Sequence, residues 1–419
     1  MLRSLPGRFI RFVGSALIRR IYRIQTVHPE NVPATGGAML LPNHVSFADA
    51  FFITAASPRP VRFVMDEAFM ASPVIRAFVS IFQTVTIRRD QPREAIRTTI
   101  DALKNGDLVC LFPEGQLTRT GALGELRRGF ELIAKKAGHP LIPMWCDGSW
   151  ASIFSFERGR FFKKPPYPAP GGMVLAFGQE IEPDHIDLEI VRQAILTASA
   201  AAQAERFAIP GWGTRVPRGN PGAVEKFQLG GEQSRRQMWA NGYQIGQINA
   251  LRRLESFFVL ADSMTLPDLP GLLLTFPELF DATVIAHEQF QPHPNAIWIG
   301  GDRLRQQITN SPATGKIDFY DFGTQALTPL EKTGVHHFPC LAIEGIVIAM
   351  SMPHPAKPAT DSEFQPGHKP GSWGKLLPGW HLLTAPDGTL RAHGPAAPEE
   401  GLPLPTGCFL DPEGFLSIS

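Results

Sequence analysis

An α/β domain with a mixed or mostly parallel sheet is the fold that residues 37 to about 180 predict, followed by a second, differently built domain. Three observations predict it. Short β-rich runs recur ("GAMLLPN", "VRFVM", "TVTIRR", "DLVCLFPEG", "HPLIPMWCDG", "GGMVLAFGQ"), and helical stretches such as "PREAIRTTIDALKNG" and "RRGFELIAKKAG" fall between them. The chain has 419 residues, too many for one ordinary core, so two domains of roughly 200 residues each are expected.

The elements follow in order. Residues 1–24 carry six arginines and no acid. On a helical period Arg8, Arg11, Ser15, Arg19 and Arg23 follow one side, while Phe9, Phe12, Val13, Ala16, Leu17, Ile21 and Ile24 follow the other. Residues 1–30 therefore read as a basic amphipathic helix for a membrane interface rich in anionic lipid; a helix packed on its own domain, or a cleaved leader, is the other reading. The strands and helices above occupy 31–208, and "DHIDLEIVRQAILTASAAAQAER" closes that domain as a last helix. Gly and Pro crowd "IPGWGTRVPRGNPG", which makes 209–225 a linker. In the second domain, 226–419, twelve of the 39 prolines fall between 353 and 412, so short strands and loops are expected there.

Composition excludes several classes. Lys and Arg total 40 against 39 Asp and Glu, which removes any global drive toward nucleic acid. No run of about 18 apolar residues occurs to span a membrane. Cys110, Cys146, Cys340 and Cys408 lack paired or metal-ligand spacing and read as reduced thiols. The scattered histidines lack metal spacing, His336 and His337 read as structural, and no GxSxG elbow supplies a serine nucleophile. No metal and no cofactor are expected.

The most informative stretch is "LPNHVSFADAFF", residues 41–52, where Asn43, His44, Ser46 and Asp49 interrupt an apolar run at a predicted strand end. In a regular helix residues five apart point about 140° away from each other. His44 must then precede the helix, with Ser46 as its N-cap and Asp49 in its first turns, for the imidazole to face the carboxylate. An Asp holding one ring nitrogen leaves the other free to take a proton from an alcohol. A core histidine beside a capping Asp is the plainer alternative. Company at other strand ends favours the chemical one: Phe112, Pro113, Glu114 and Gly115 form a tight turn in "LVCLFPEGQLTRTG", and Arg88 and Arg89 end "TVTIRR".

"NHVSFAD" and "FPEG", with "TIRRD" and "PLIPMWCDG" in the places of two further blocks, resemble the signatures of the glycerophospholipid acyltransferases. The resemblance implies a glycerolphosphate-acyltransferase-like mixed sheet flanked by helices, with His44 as general base and Asp49 as its orienting partner. Asn43, Ser46, Arg88, Arg89, Phe112, Pro113, Glu114, Gly115 and Thr118 are the implied substrate-binding set. The lysophosphatidic acid enzymes usually read FPEGTRS, and here Leu117 stands at the Arg position. The stretches "GQLTRTGALGELRRGFELIAKK" and "DGSWASIFSFERGRFFKKPP" are similar to bacterial bifunctional proteins that reacylate 2-acyl-glycerophosphoethanolamine, so both acceptors stay open. Acyl-ACP or acyl-CoA is the implied co-substrate, membrane lipid and the thioester carrier the partners, and the cytoplasmic face of the inner membrane the location. Arg158, Arg160, Lys163 and Lys164 among Phe154, Phe156, Phe161 and Phe162 form either a surface for lipid or an acidic carrier, or a solvated edge.

In those bifunctional proteins an adenylate-forming domain follows. Residues 240–290 and 366–417, "GSWGKLLPGW" above all, are similar to parts of it. Its chemistry is not retained: "FQLGGEQSRRQMW" lacks the small residues that cradle phosphate, "IEGIVIAM" stands where a Tyr-Gly-x-Thr-Glu block belongs, Cys408 replaces the ribose-binding Asp, and the sequence runs only to Ser419, ahead of the lid lysine. A degenerate, truncated adenylate-forming-like α/β domain is the expectation. The intact His44, Asp49, Glu114 and Gly115 favour an acyltransferase over a non-catalytic lipid-binding scaffold, and the missing loop and lid disfavour a fatty-acid–ACP ligase.

Overall fold

The computed structural model describes residues 5–66, 85–87, 92–156, 172–208, 240, 243–245, 258–261, 283–286, 296–311, 317–323, 325–343, 346–354 and 364–419. Arg88, Arg89, the basic residues at 158–164 and the expected linker 209–225 lie outside them. The chain divides into two compact units: 1–118 with 125–156 and 160–206, and 119–124 with 157–159 and 207–419.

The first unit runs α1 (Leu5–Ile21), β1 (Gln25–Val27), β2 (Ala38–Pro42), α2 (Asp49–Ala56), β3 (Val61–Asp66), β4 (Val85–Ile87), α3 (Pro92–Lys104), β5 (Leu108–Cys110), α4 (Gly129–Ala137), β6 (Leu141–Asp147), β7 (Val174–Phe177) and α5 (Leu188–Ala208). Its seven strands form one sheet in the order β1-β7-β6-β2-β5-β3-β4. All pairs are parallel except β6 with β7, so the sheet is mixed. The six expected strands are present. β1 is an addition: it is a three-residue, half-buried edge strand beside β7, too short to carry a periodic signal.

β2 and β6 are buried along their whole length, which is why "AMLLP" and "LIPMWCD" read as continuous apolar runs rather than alternating ones. Leu40, Phe52, Ile53, Phe63, Leu108 and Ile142 belong to the core on this sheet. α4 buries Phe130, Ile133, Ala134 and Ala137, the i, i+3, i+4, i+7 stripe of an amphipathic helix, and Gly138 ends it in the left-handed region. Gly37, just before β2, has no room for a side chain: a Cβ there would stand 2.1 Å from the Leu103 carbonyl oxygen. The decisive feature is register. β2 pairs in parallel with β5, Leu40 opposite Cys110, so both strands release their following loops at the same carboxyl edge.

α5 is fastened through a buried ion pair. Arg206 Nε donates to Asp147 Oδ2 at the end of β6, and the same guanidinium donates to the carbonyls of Asp147 (3.2 Å) and Gly172 (3.0 Å). Both side chains are buried. Arg206→Met is expected to destabilise the unit by about 3–5 kcal/mol, because it takes the charged partner away from a buried carboxylate. The denaturant midpoint checks this; an unchanged midpoint would show the pair to be dispensable.

The second unit contains β8 (Phe258–Ala261), β9 (Thr283–Ala286), β10 (Ala296–Gly300), α6 (Asp302–Asn310), β11 (Ile317–Asp321), β12 (Val335–Ile343), β13 (Ile346–Met350), β14 (Ser372–Leu376), β15 (His381–Thr384), β16 (Leu390–His393), β17 (Leu402–Pro403), β18 (Cys408–Leu410) and β19 (Phe415–Ile418). A seven-stranded sheet runs β10-β11-β12-β13-β14-β19-β18, parallel from β10 to β12 and antiparallel thereafter. β15, β16 and β17 form a small antiparallel sheet, and β8 pairs in parallel with β9. The Pro-rich stretch forms short strands, as expected, and Pro403 sits on an edge strand where its missing donor is tolerated. His336 pairs with Asp318 at 2.9 Å on the exposed side, while His337 meets the buried Asp321 at 2.9 Å beside Arg305. The four cysteines are free thiols.

Candidate active site

At the end of β2 the chain turns through Asn43 and His44. Asn43 is buried, and its Oδ1 accepts from the Cys146 amide at 2.7 Å, which ties this turn to β6. His44 follows with its side chain 16% exposed, and its Nδ1 lies 3.1 Å from Asp49 Oδ2. That oxygen also accepts from the amides of Val45 and Ser46, both at 2.9 Å. A carboxylate oxygen accepts, so Nδ1 is the donor of this pair, and in a neutral imidazole with that tautomer Nε2 carries the lone pair.

The cap differs from the sequence expectation. α2 begins at Asp49, with Ala48 in the N-cap position and no side-chain cap. Ser46 instead accepts from the Ala48 amide through Oγ at 3.1 Å. The reason is the carboxylate of Asp49, which reaches back to amides 45 and 46 and closes the turn itself. The helix then starts two residues too late for Ser46 to reach its first amides. The charge of Asp49 lies at the helix N-terminus, where it is favoured.

The loop after β5 holds His44 from the other side. Glu114 is turned inward, 3% exposed, and its Oε1 accepts from the His44 amide at 2.9 Å. The Thr118 amide donates to the His44 carbonyl at 2.8 Å. The Phe112 ring stacks on the imidazole, centroids 3.7 Å apart and planes inclined by 21°. Gly115 closes the turn by donating to the Phe112 carbonyl at 3.0 Å, with a φ of 67° that favours glycine.

A third segment braces the turn, a role the sequence does not announce. Ser46 forms an antiparallel bridge with Ser155, and the Phe47 amide donates to the Phe154 carbonyl at 3.3 Å. Ser155 Oγ in turn donates to the carbonyls of Trp150 and Ser152. The only sequence signal for this brace is the small, polar "DGSWASIFS" after β6.

Of the residues expected to act together, His44, Asp49, Asn43, Ser46, Phe112, Pro113, Glu114, Gly115 and Thr118 converge on this one edge. Asn43, Ser46, Pro113, Glu114 and Thr118 are buried, while His44 and Phe112 are partly open and Gly115 is exposed. Burial, and then the charge of Asp49, push the Cys110 and Cys146 thiols well above the usual thiol range, so neither is a ready thiolate nucleophile. Among the described residues no cluster of three His, Cys, Asp or Glu is arranged to hold a metal. The arrangement can therefore accept a proton at one imidazole nitrogen and stabilise the resulting charge through a buried carboxylate.

Comparison with known proteins bears on the same stretch. The acyltransferase family model matches residues 23–147. A chloroplastic 1-acyl-sn-glycerol-3-phosphate acyltransferase of Arabidopsis thaliana is 27% identical over 140 residues, 32% of this chain and 39% of that protein. A 1-acyl-sn-glycerol-3-phosphate acyltransferase of Bacillus subtilis is 26% identical over 139 residues, 33% of this chain and 69% of its own length. The crystal structure of the 1-acyl-sn-glycerophosphate acyltransferase from Thermotoga maritima aligns with 48% of this chain and 81% of its own at 20% identity, with a TM-score of 0.39, too low to establish a shared fold. The chain thus spans about two fifths of the length of its chloroplast relative. The stretch that the acyltransferase family matches, residues 23–147, is the one that carries β2, the His44–Asp49 pair and the Phe112–Gly115 turn.

Proposed function

We propose that this chain is a lysophospholipid O-acyltransferase that works at a membrane surface. The observation that carries the proposal is the His44 Nδ1 to Asp49 Oδ2 contact of 3.1 Å on a histidine that is still partly open. In this reading the acceptor hydroxyl gives its proton to His44 Nε2 while its oxygen attacks the thioester carbonyl carbon. Asp49 stabilises the imidazolium. The tetrahedral intermediate then collapses, the C–S bond breaks, and the leaving thiolate takes the proton back from His44, so no acyl-enzyme forms. The neighbouring amides, and on sequence grounds Arg88 and Arg89, are proposed for the oxyanion and the acceptor.

The donor is an acyl-ACP or acyl-CoA thioester. The relatives' activity supports lysophosphatidic acid as acceptor. Leu117, buried at 8% where such enzymes usually carry Arg, favours an acceptor with a headgroup, 2-acyl-glycerophosphoethanolamine. The second unit is proposed as a degenerate adenylate-forming-like domain without ATP chemistry, serving as scaffold or carrier dock. The test is transfer by purified protein on lipid vesicles, with both thioesters against both acceptors, with and without ATP, wild type beside His44→Ala. Transfer that needs no ATP and vanishes in the variant is expected. No transfer to any acceptor would sink the reading in favour of a scaffold, and acylation that requires ATP would favour a ligase.

Location at the cytoplasmic face of the inner membrane is part of the same proposal. Among the described residues no helix is long and apolar enough to cross a membrane. Val13, Leu17 and Ile21, one face of α1, are 46%, 58% and 63% exposed, while Ile18 packs on the core and Tyr22 meets Phe52 edge-on. An exposed apolar stripe beside exposed Arg19 and Arg20 suits an anionic interface. Replacing Val13, Leu17 and Ile21 together by Asn is expected to release the protein from anionic vesicles without unfolding it, as read by co-sedimentation. Truncation would be a poorer test because it removes Ile18 and Ile24 from the core. Unchanged partitioning would remove the interfacial role from α1.

A further inference from the structure

The stretch "TRTGALGEL" that follows the site turn leaves the first unit and returns to it: Thr118 belongs to the first unit, residues 119–124 to the second, and Glu125 to the first again. Both ends are pinned to the turns that build the site. On the outgoing side the Thr118 amide donates to the His44 carbonyl at 2.8 Å, and on the return the Arg127 amide donates to the Pro113 carbonyl at 2.7 Å. Between those pins the segment is built into the second unit. Thr120, Ala122 and Leu123 are buried, and the Arg119 amide, one residue beyond the outgoing pin, donates to Gln365 Oε1 at 2.7 Å. Gln365 itself has a firm mount. Two residues on, the Gly367 amide donates to His354 Nδ1 at 3.1 Å and its carbonyl accepts from the Met352 amide at 2.9 Å, which fastens this segment to the chain just past β13. The fit is close enough that a Cβ on Gly367 would stand 2.4 Å from the Met352 carbonyl oxygen.

We infer that Gln365 is a positioning residue for acyl transfer, one that fixes the outgoing end of the site turn by holding the Arg119 amide. The inference rests on the acyltransferase reading and gives the second unit a part in it. The path is two successive amides: that of Arg119 is held by Gln365, and that of Thr118 holds the His44 carbonyl. Each amide belongs to a rigid peptide plane, so holding both leaves the backbone of Thr118 little freedom to rotate. The His44 backbone carries the imidazole, and a reacting group misplaced by about 1 Å costs on the order of 10²-fold in rate. Because the buried residues 120, 122 and 123 already anchor the middle of the segment, Gln365 adds the worth of one hydrogen bond to a tethered chain.

The experiment compares the full chain with Gln365→Leu, which removes the acceptor, and Gln365→Glu, which keeps an oxygen for the Arg119 amide. Backbone hydrogen exchange read by mass spectrometry follows peptides over the turn, 112–118, and over β10 to β12, while acyl transfer on vesicles gives kcat and KM. Gln365→Leu should speed exchange in the turn about 2- to 10-fold, leave β10 to β12 as in wild type, and lower kcat by a similar factor at unchanged KM for the thioester. Gln365→Glu should restore both. Wild-type exchange in the turn of Gln365→Leu, or faster exchange with wild-type kcat, would overturn the inference. So would exchange that rises equally in β10 to β12, since that is a general loosening of the second unit, and so would a glutamate variant no better than leucine. Turn exchange that answers both variants as expected in a protein that transfers no acyl chain would leave the link to Gln365 in place and sink the catalytic reading alone.

Discussion

Replacing His44 with alanine is expected to lower turnover by about 10²- to 10⁴-fold, the usual worth of a positioned general base, while the melting temperature stays near that of wild type. The fold should tolerate the change because the bonds that fix this turn are made by the His44 backbone. Its amide is held by Glu114 and its carbonyl by Thr118, and neither needs the imidazole. What is lost is the ring itself, with its Phe112 stack and its Asp49 contact. Steady-state kinetics and circular dichroism together decide it. A folded His44→Ala protein with wild-type turnover would end the general-base assignment.

Asp49→Asn should be almost as slow, by on the order of 10²- to 10⁴-fold, and unlike the histidine variant it should also be less stable, by about 1–3 kcal/mol. One carboxylate oxygen accepts from His44 Nδ1 and from two amides, and a neutral amide oxygen does this more weakly. The other oxygen, Oδ1, is buried without a hydrogen-bond partner in the structure, so an amide there places a buried donor with nothing to receive it. Because Asp49 acts through His44, the double variant should be no slower than His44→Ala alone. Multiplicative losses in turnover, or Asp49→Asn with the activity and denaturant midpoint of wild type, would show that the carboxylate does not position the base.

Part of this site is legible in the sequence and part only in the fold. His44 and Asp49 were legible because a strand end, a turn and a helix start leave few ways to bring residues five apart together. Their closure was not, since the roles of Ser46 and Asp49 depend on which acceptor reaches amides 45 and 46 first. Glu114 was legible as a site residue, but its inward aim at a backbone amide is visible only in the fold. Of the apolar face read from the sequence, Val13, Leu17 and Ile21 are outward while Ile24 is buried, and Ile18, which that face does not include, packs on the core. Periodicity finds an apolar stripe but does not say what covers it.

By itself the sequence determined the order of β2 to β7 and of the helices among them, the position of the His44 and Glu114 turns at strand ends, and the family that residues 23–147 match. These follow from local geometry and short-range pattern. Only the tertiary structure decided that β2 lies between β5 and β6, and hence that a glutamate 70 residues away grips the amide of His44 while Cys146 ties down Asn43. Strand neighbours are chosen by long-range pairing and the burial of both sheet faces, and neither leaves a mark within any one segment.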